Sequence, residues 1–376
     1  MKTNNIVNKI NGVLILLYCS LFVFGQIPTL LGQMVSITVK PTDLILVLLV
    51  LFNIKELRVF KKLTPLLFSS ILAFAFFPPT SLVVGFAYLF RVIGILTLGR
   101  ILFTQKRIIT KKNSLNVLLT MLFIIAFLGW VQYLFYPDLR MLSILGWDDH
   151  YYRLTSTFLD PAFTGLLMVF GVLLSLQHLK STPRYLLSLF FFLTLLLTYS
   201  RSSYLSLAIA LLFYFYKKLS VKRIFYAVSV FLVVLLLLPR PGGEGVKLER
   251  LYSISYKIQN ASFGLSLIQK SPLFGFGYNN VCLVSTKYSS VVDSQSNSCN
   301  GLDNSFETIF VSFGVVGVIV LMREGLSFYK RYPQLTTGFP VFIAFLVHAQ
   351  FTNTLFYPYC LGFVVLYVST VVLQKN

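Results

Sequence analysis

Arg153 in RLTSTFLDP, Arg201 in TYSRSSYLS, and Arg250 with Lys257 in RLYSISYKIQN stand in polar stretches between long apolar runs. A guanidinium donates two parallel hydrogen bonds to adjacent oxygens, so several such groups on one pocket would bind a diphosphate. Taken singly, each is equally well a solvated loop charge or a lipid-headgroup contact. Two carboxylates, Asp303 and Glu307, lie four residues apart in DNSFETIFVSFGVVG and are placed to share one helix face. Asn304 with Glu307 also fits a capping-box pattern. A carboxylate beside a helix N-terminus is a candidate general base, because the exposed N–H groups there favour anions. One of the pair can cap while the other reacts.

Other residues admit two readings. Arg91 falls near the middle of an apolar run, about ten residues or 15 Å from either end. That is too deep for its head to reach water, and an unpaired arginine there costs several kcal/mol. It is either an anion contact in a wet cavity, joining the diphosphate set, or half of a structural pair. His348, late in another apolar run, is a functional candidate or a hydrogen-bonded core histidine. No Ser-His-Asp spacing is present. Gly275 and Gly277 in SPLFGFGYNN mark a tight turn, with no strand–helix context for nucleotide binding. Cys19 and Cys360 sit in apolar runs as small core residues. Cys282 and Cys299 share one polar segment; an oxidising compartment would permit a disulfide between them, and two free thiols are the alternative. No CxxC or His–Cys cluster suggests a metal or cofactor.

The elements that must hold these residues are membrane helices. The 376 residues are 56% hydrophobic and only 12% charged, with a mean hydropathy of +0.79. A soluble domain carries about twice that charge. The apolar runs are too long and continuous for barrel strands, and lipid requires backbone groups to pair within the segment. Twelve runs are read, near 10–25, 41–54, 63–77, 81–103, 114–136, 161–178, 184–199, 202–217, 222–239, 305–322, 338–353 and 355–373. The fold class expected is all-α, a single polytopic membrane domain over 1–376 with about twelve spans. The first run follows a basic start and is read as an uncleaved helix.

Charge sidedness orients them. With the N-terminus cytoplasmic, 21 of the 32 basic residues fall in inner loops, and every second short loop is basic. Both termini are then inside, and segments 137–160 and 240–304 are outside. The longer one lies between the ninth and tenth spans and includes an amphipathic stretch near 249–270 suited to a membrane surface. Ten of the twelve carboxylates lie on or near the outer face. Arg201 stands out, since short outer loops otherwise avoid positive charge. The net charge of +20 reflects topology and anionic lipid as partner, not nucleic acid.

Read together and in order, KPTDLILVLLVL, RLTSTFLDPAFTG, TYSRSSYLSLAIALL, the loop end RLYSISYKIQNASFGLSLIQKSPLFGFGYNN and DNSFETIFVSFGVVG resemble the O-antigen polymerase and O-antigen ligase superfamily. The resemblance is strongest over about 150–320. It implies a metal-independent glycosyltransferase of the bacterial inner membrane without cofactors. Its donor would be a glycan on undecaprenyl diphosphate, used on the outer face, with a chain-length regulator as a candidate partner. The implied needs are a base for the acceptor hydroxyl and cations for the leaving diphosphate. Asp303 or Glu307 would supply the first; Arg153, Arg201, Arg250, Lys257 and Arg91 the second. Ligases of the family have His-Asn where this chain has Asp303-Asn304, which favours a polymerase of lipid-linked repeats. The alternatives are a ligase delivering the finished glycan to a lipid or protein and, from another class, a transporter of lipid-linked glycan. A transporter should show inverted repeats and midplane sites, and no clear repeat is visible.

Overall fold

The computed structural model describes residues 2–33, 40–57, 64–104, 111–216, 220–288 and 301–372. Fifteen α-helices run through them: α1 (Lys2–Phe22), α2 (Ile27–Gln33), α3 (Pro41–Phe52), α4 (Thr64–Leu72), α5 (Pro79–Thr104), α6 (Lys111–Phe135), α7 (Pro161–His178), α8 (Ser181–Leu196), α9 (Arg201–Phe215), α10 (Val221–Leu236), α11 (Tyr252–Lys270), α12 (Val281–Tyr288), α13 (Ser305–Arg331), α14 (Phe339–His348) and α15 (Pro358–Val372). No strand occurs among the described residues, only an isolated bridge between Asp138 and Tyr151. The chain is an all-α membrane protein. Among the described residues, four helical stretches are long and apolar enough to cross a bilayer: Gly85–Thr104, Asn113–Phe135, Pro161–His178 and Ser305–Arg331.

Every one of the twelve apolar runs contains a helix. Two of them, however, yield helices much shorter than the run. The 63–77 run gives the nine residues of α4 before a 3-10 turn, and the 338–353 run gives the ten of α14. At 1.5 Å per residue each is about half the depth of the hydrocarbon. Of the segments read as loops, 249–270 becomes α11. It exposes Ile254, Ile258 and Leu265 and turns Phe263 and Leu267 inward.

The centre of the bundle is α7. Its first fifteen residues are almost all buried, and it packs on α6, α8, α9 and α14. α15 is similarly enclosed, and Phe170 of α7 stacks on Phe363 of α15 at 5.3 Å and 9°. Outward, Leu16, Phe127, Leu193, Phe225 and Ile319 form part of a broad apolar exterior that only lipid would cover.

α13 is a broken helix. Gly314 leaves helical geometry at φ 61°, ψ −168°. The turn 272–277 inserts at that point. Phe276 and Gly277 donate to the carbonyls of Val311 and Ser312 at 2.8 and 2.9 Å, while Val315 and Val316 donate to Pro272 and Leu273 at 2.8 and 3.1 Å. All four freed helix groups are therefore satisfied, the condition for broken backbone within a membrane. Gly275 and Gly314 both have positive φ, and a Cβ on either would meet the opposite backbone at 2.5 and 2.3 Å. The GFG turn read from the sequence is thus a plug in a helix.

Candidate functional site

The segment RLTSTFLDP is buried irregular backbone stitched to its surroundings. Leu154 donates to Leu197 (2.9 Å), Thr155 to the Gln132 side chain (2.9 Å), Ser156 Oγ to Ile125 (2.6 Å) and Thr157 Oγ1 to Val23 (2.7 Å). Phe158 is fully buried against Phe22 and Tyr359. Asp160 caps α7, accepting from Ala162 and Phe163 at 2.6 and 2.9 Å. Tyr152, Ser156, Leu159 and Tyr199 all hold positive φ between 50° and 56°. Side chains avoid that region, and such strain gathers at functional sites.

These strained turns bring three arginines together. Arg153 reaches across to the α8–α9 turn and donates to the carbonyls of Thr198 and Tyr199 at 3.1 and 3.4 Å. Arg201, the first residue of α9, donates to the carbonyls of Leu248 and Arg250 at 3.2 and 3.0 Å. Arg250 folds back onto the carbonyls of Gly245 and Lys247. Among the described residues no carboxylate pairs with Arg153 or Arg250. Burial first, then repulsion from Arg250, pushes Arg153 down to about 10. Arg250 is lowered by burial and then by Arg201. Arg250 links the other two: Arg201 donates to its carbonyl, and the Arg153 side chain packs against Gly245, whose carbonyl Arg250 takes, so the three share one corner of the molecule.

The carboxylates come next to this corner. Asp303 precedes the helix: Asn304 is the N-cap of α13, accepting from Phe306 (2.8 Å) and Glu307 (3.4 Å). The four-residue spacing therefore does not put Asp303 on a helix face with Glu307. Asp303 pairs with Lys257 at 3.3 Å, and Lys257 also donates to the Phe351 carbonyl. Glu307 lies against Gly264 of α11, and its Oε2 is buried without a hydrogen-bond partner among the described residues.

Asp148, which sequence reasoning did not single out, is solvent-exposed. Partial desolvation and then Asp149 raise its carboxyl while Arg153 and Lys257 lower it, so its charge is coupled to both groups. Nearby His150 is buried; burial, then Arg153 and Arg250, push it down to about 3. The available signal was WDDH lying just upstream of RLTSTF.

His348 is fully buried and engaged on both sides. Nε2 lies 3.2 Å from Ser202 and Ser203 Oγ, and Nδ1 lies 2.7 Å from Thr354 Oγ1. It ties α14 to the start of α9 and so braces Arg201.

Two predicted features lie elsewhere. Arg91 of α5 makes a bidentate pair with Asp43 of α3 at 2.6 and 2.5 Å and stacks on Tyr88. Beside it, buried Lys40 sets its ammonium 5.0 Å from the Tyr359 ring. Cys282, in α12, is disulfide-bonded, whereas Cys19 and Cys360 are free; Cys299 lies outside the described residues. Among the described residues no three His, Cys, Asp or Glu side chains gather to hold a metal ion.

No curated protein matches the chain. Residues 186–322, from α8 into α13, match the family described as O-antigen ligase. That stretch contains Arg201, Arg250, Lys257, Asp303 and Glu307, while Arg153, Arg91 and His348 fall outside it. The likeness to that family covers 137 of the 376 residues, from 186 to 322, and is a likeness over that stretch alone.

Proposed function

We propose that the chain polymerises oligosaccharide repeats carried on undecaprenyl diphosphate, at the outer face of a bacterial inner membrane it crosses about twelve times. The observation that carries this reading is the corner shared by Arg153, Arg201 and Arg250. Like charges drawn together repel, and the hydrogen bonds of Arg153 and Arg250 to carbonyls leave their charge in place. An anion with several oxygens removes that cost.

In the reaction, an acceptor sugar hydroxyl attacks the anomeric carbon of the donor. The bond from that carbon to the phosphate oxygen breaks, and lipid diphosphate leaves. The arginines stabilise the charge growing on the leaving oxygens. The hydroxyl proton passes to a carboxylate and then to water. Asp303 is the favoured acceptor of that proton, because its partner Lys257 links it to the arginine corner. Glu307 is the alternative. Lys257 pairs with Asp303 and is a further cation for the diphosphate. Arg91, neutralised by Asp43, serves the fold on this reading. His348 acts as a positioning residue for Arg201.

Transfer to a lipid or protein acceptor is the second reading, favoured by the description of the matched family. The test is reconstitution of the purified chain with lipid-diphosphate glycan in chelator. Polymerisation predicts a product ladder still attached to undecaprenyl diphosphate. A ladder absent until a second acceptor is added would replace polymerase by ligase, and loss of all turnover in chelator would overturn the metal-independent mechanism.

A further inference from the structure

α13 begins beside Asp303 and ends at Arg331, about 40 Å along the bundle. Near that far end, α5, α13 and α15 enclose a cavity of about 520 Å³, in the size range of small-molecule sites. Its walls include Leu96, Leu321, Val365 and Val368. Arg100 and Arg331 also line it. Arg100 spends one nitrogen on Glu56 at 3.0 Å and is about one-third exposed. Arg331 stands over the Tyr332 ring at 5.8 Å and makes no ion pair among the described residues. Phe103 stacks on Tyr332 (5.9 Å, 15°), giving the cavity the aromatic character typical of headgroup depth. Arg100, Arg323, Lys330 and Arg331 all belong to loop ends that charge sidedness assigns to the cytoplasm.

We propose that this cavity holds an acyl chain of an anionic phospholipid from the cytoplasmic leaflet, with its phosphate on Arg331 and Arg100. The leaflet rests on the orientation adopted above; the ligand class rests on the cavity itself. An apolar wall takes the hydrocarbon, and the arginines take the phosphate. The donor's polyprenyl tail suits the walls but not the cations, since its only charge lies at the diphosphate. On the proposed reaction, that diphosphate is at the opposite end of α13. Glu324, which also lines the cavity, limits the number of acidic groups one headgroup can bring.

Gly325 supplies a clean probe. It lines the cavity, and a Cβ there would meet no atom within 4 Å. Gly325→Leu therefore fills the cavity while favouring the helix. The full chain would be purified into detergent, exposed to phosphatidylglycerol or phosphatidylcholine of identical chains, and examined by native mass spectrometry. The expected result is preferential retention of one phosphatidylglycerol. Arg331→Gln should weaken that retention about tenfold and leave phosphatidylcholine unchanged. Gly325→Leu should reduce retention of both lipids without lowering the melting temperature. Equal retention of the two lipids by the unmodified chain would overturn the proposal. So would undiminished phosphatidylglycerol in Gly325→Leu, or its displacement by added undecaprenyl diphosphate, which would assign the cavity to the donor tail. The readout needs no turnover, so its failure is separate from failure of the polymerase reading.

Discussion

Arg91 and Arg153 are both arginines in or beside apolar runs, and the fold treats them in opposite ways. Arg91 meets Asp43 in a bidentate pair whose side chains are only 11% and 16% exposed, so the charge is cancelled where it stands. Arg153 meets carbonyl oxygens and a second arginine. A carbonyl satisfies the hydrogen bond but not the charge, and the positive field survives for a ligand. The difference teaches that a buried arginine is informative about function only when its partner is known. Burial alone describes both.

The comparison can be broken most directly at the outer corner. Replacing Arg153 and Arg201 together by Gln should slow glycan polymerisation in proteoliposomes about a thousandfold or more, while the variant still folds. Little loss would mean that the corner does not hold the leaving group. At the inner pair, Asp43→Asn should destabilise the chain by about 3–5 kcal/mol in detergent unfolding, because it strands a buried cation. Asp43→Leu combined with Arg91→Met should recover most of that stability, and turnover with it. A stable but inactive double variant would move Arg91 into the diphosphate site.

Smaller effects separate the carboxylates. Asp303→Asn should lower the polymerisation rate by about a hundredfold and Glu307→Gln by much less; the reverse order would make Glu307 the base. The smallest effect concerns His150. Its folded pKa is near 3 and its ordinary value 6.5. The unfolded chain therefore binds the extra proton between those values, and stability falls as pH drops below about 6.5. His150→Gln should flatten the melting temperature over pH 6.5 to 4, and an unchanged slope would place the titration elsewhere.

Much of the architecture was legible in the sequence. All twelve apolar runs contain helices, and the 161–178 run coincides with α7 from end to end. Asn304 as cap was also legible, since a side-chain cap needs only the next three residues. The break at Gly314 was not. A glycine in an apolar run looks the same whether the helix continues or a turn forty residues upstream replaces its hydrogen bonds. The lengths of α4 and α14 were hidden for a similar reason, as hydropathy persists through the turns that end them.

The chain's order of residues by itself determined where helices form, because hydrophobic length is a property of adjacent residues. It also supplied the residue types of the site. Tertiary structure alone decided which cations are neutralised. Arg91 lies 48 residues from Asp43, and Arg153 lies 45 from the Thr198 carbonyl that holds it. No local pattern encodes such distances. Whether an arginine finds a carboxylate or another arginine depends on which helices the core packs side by side.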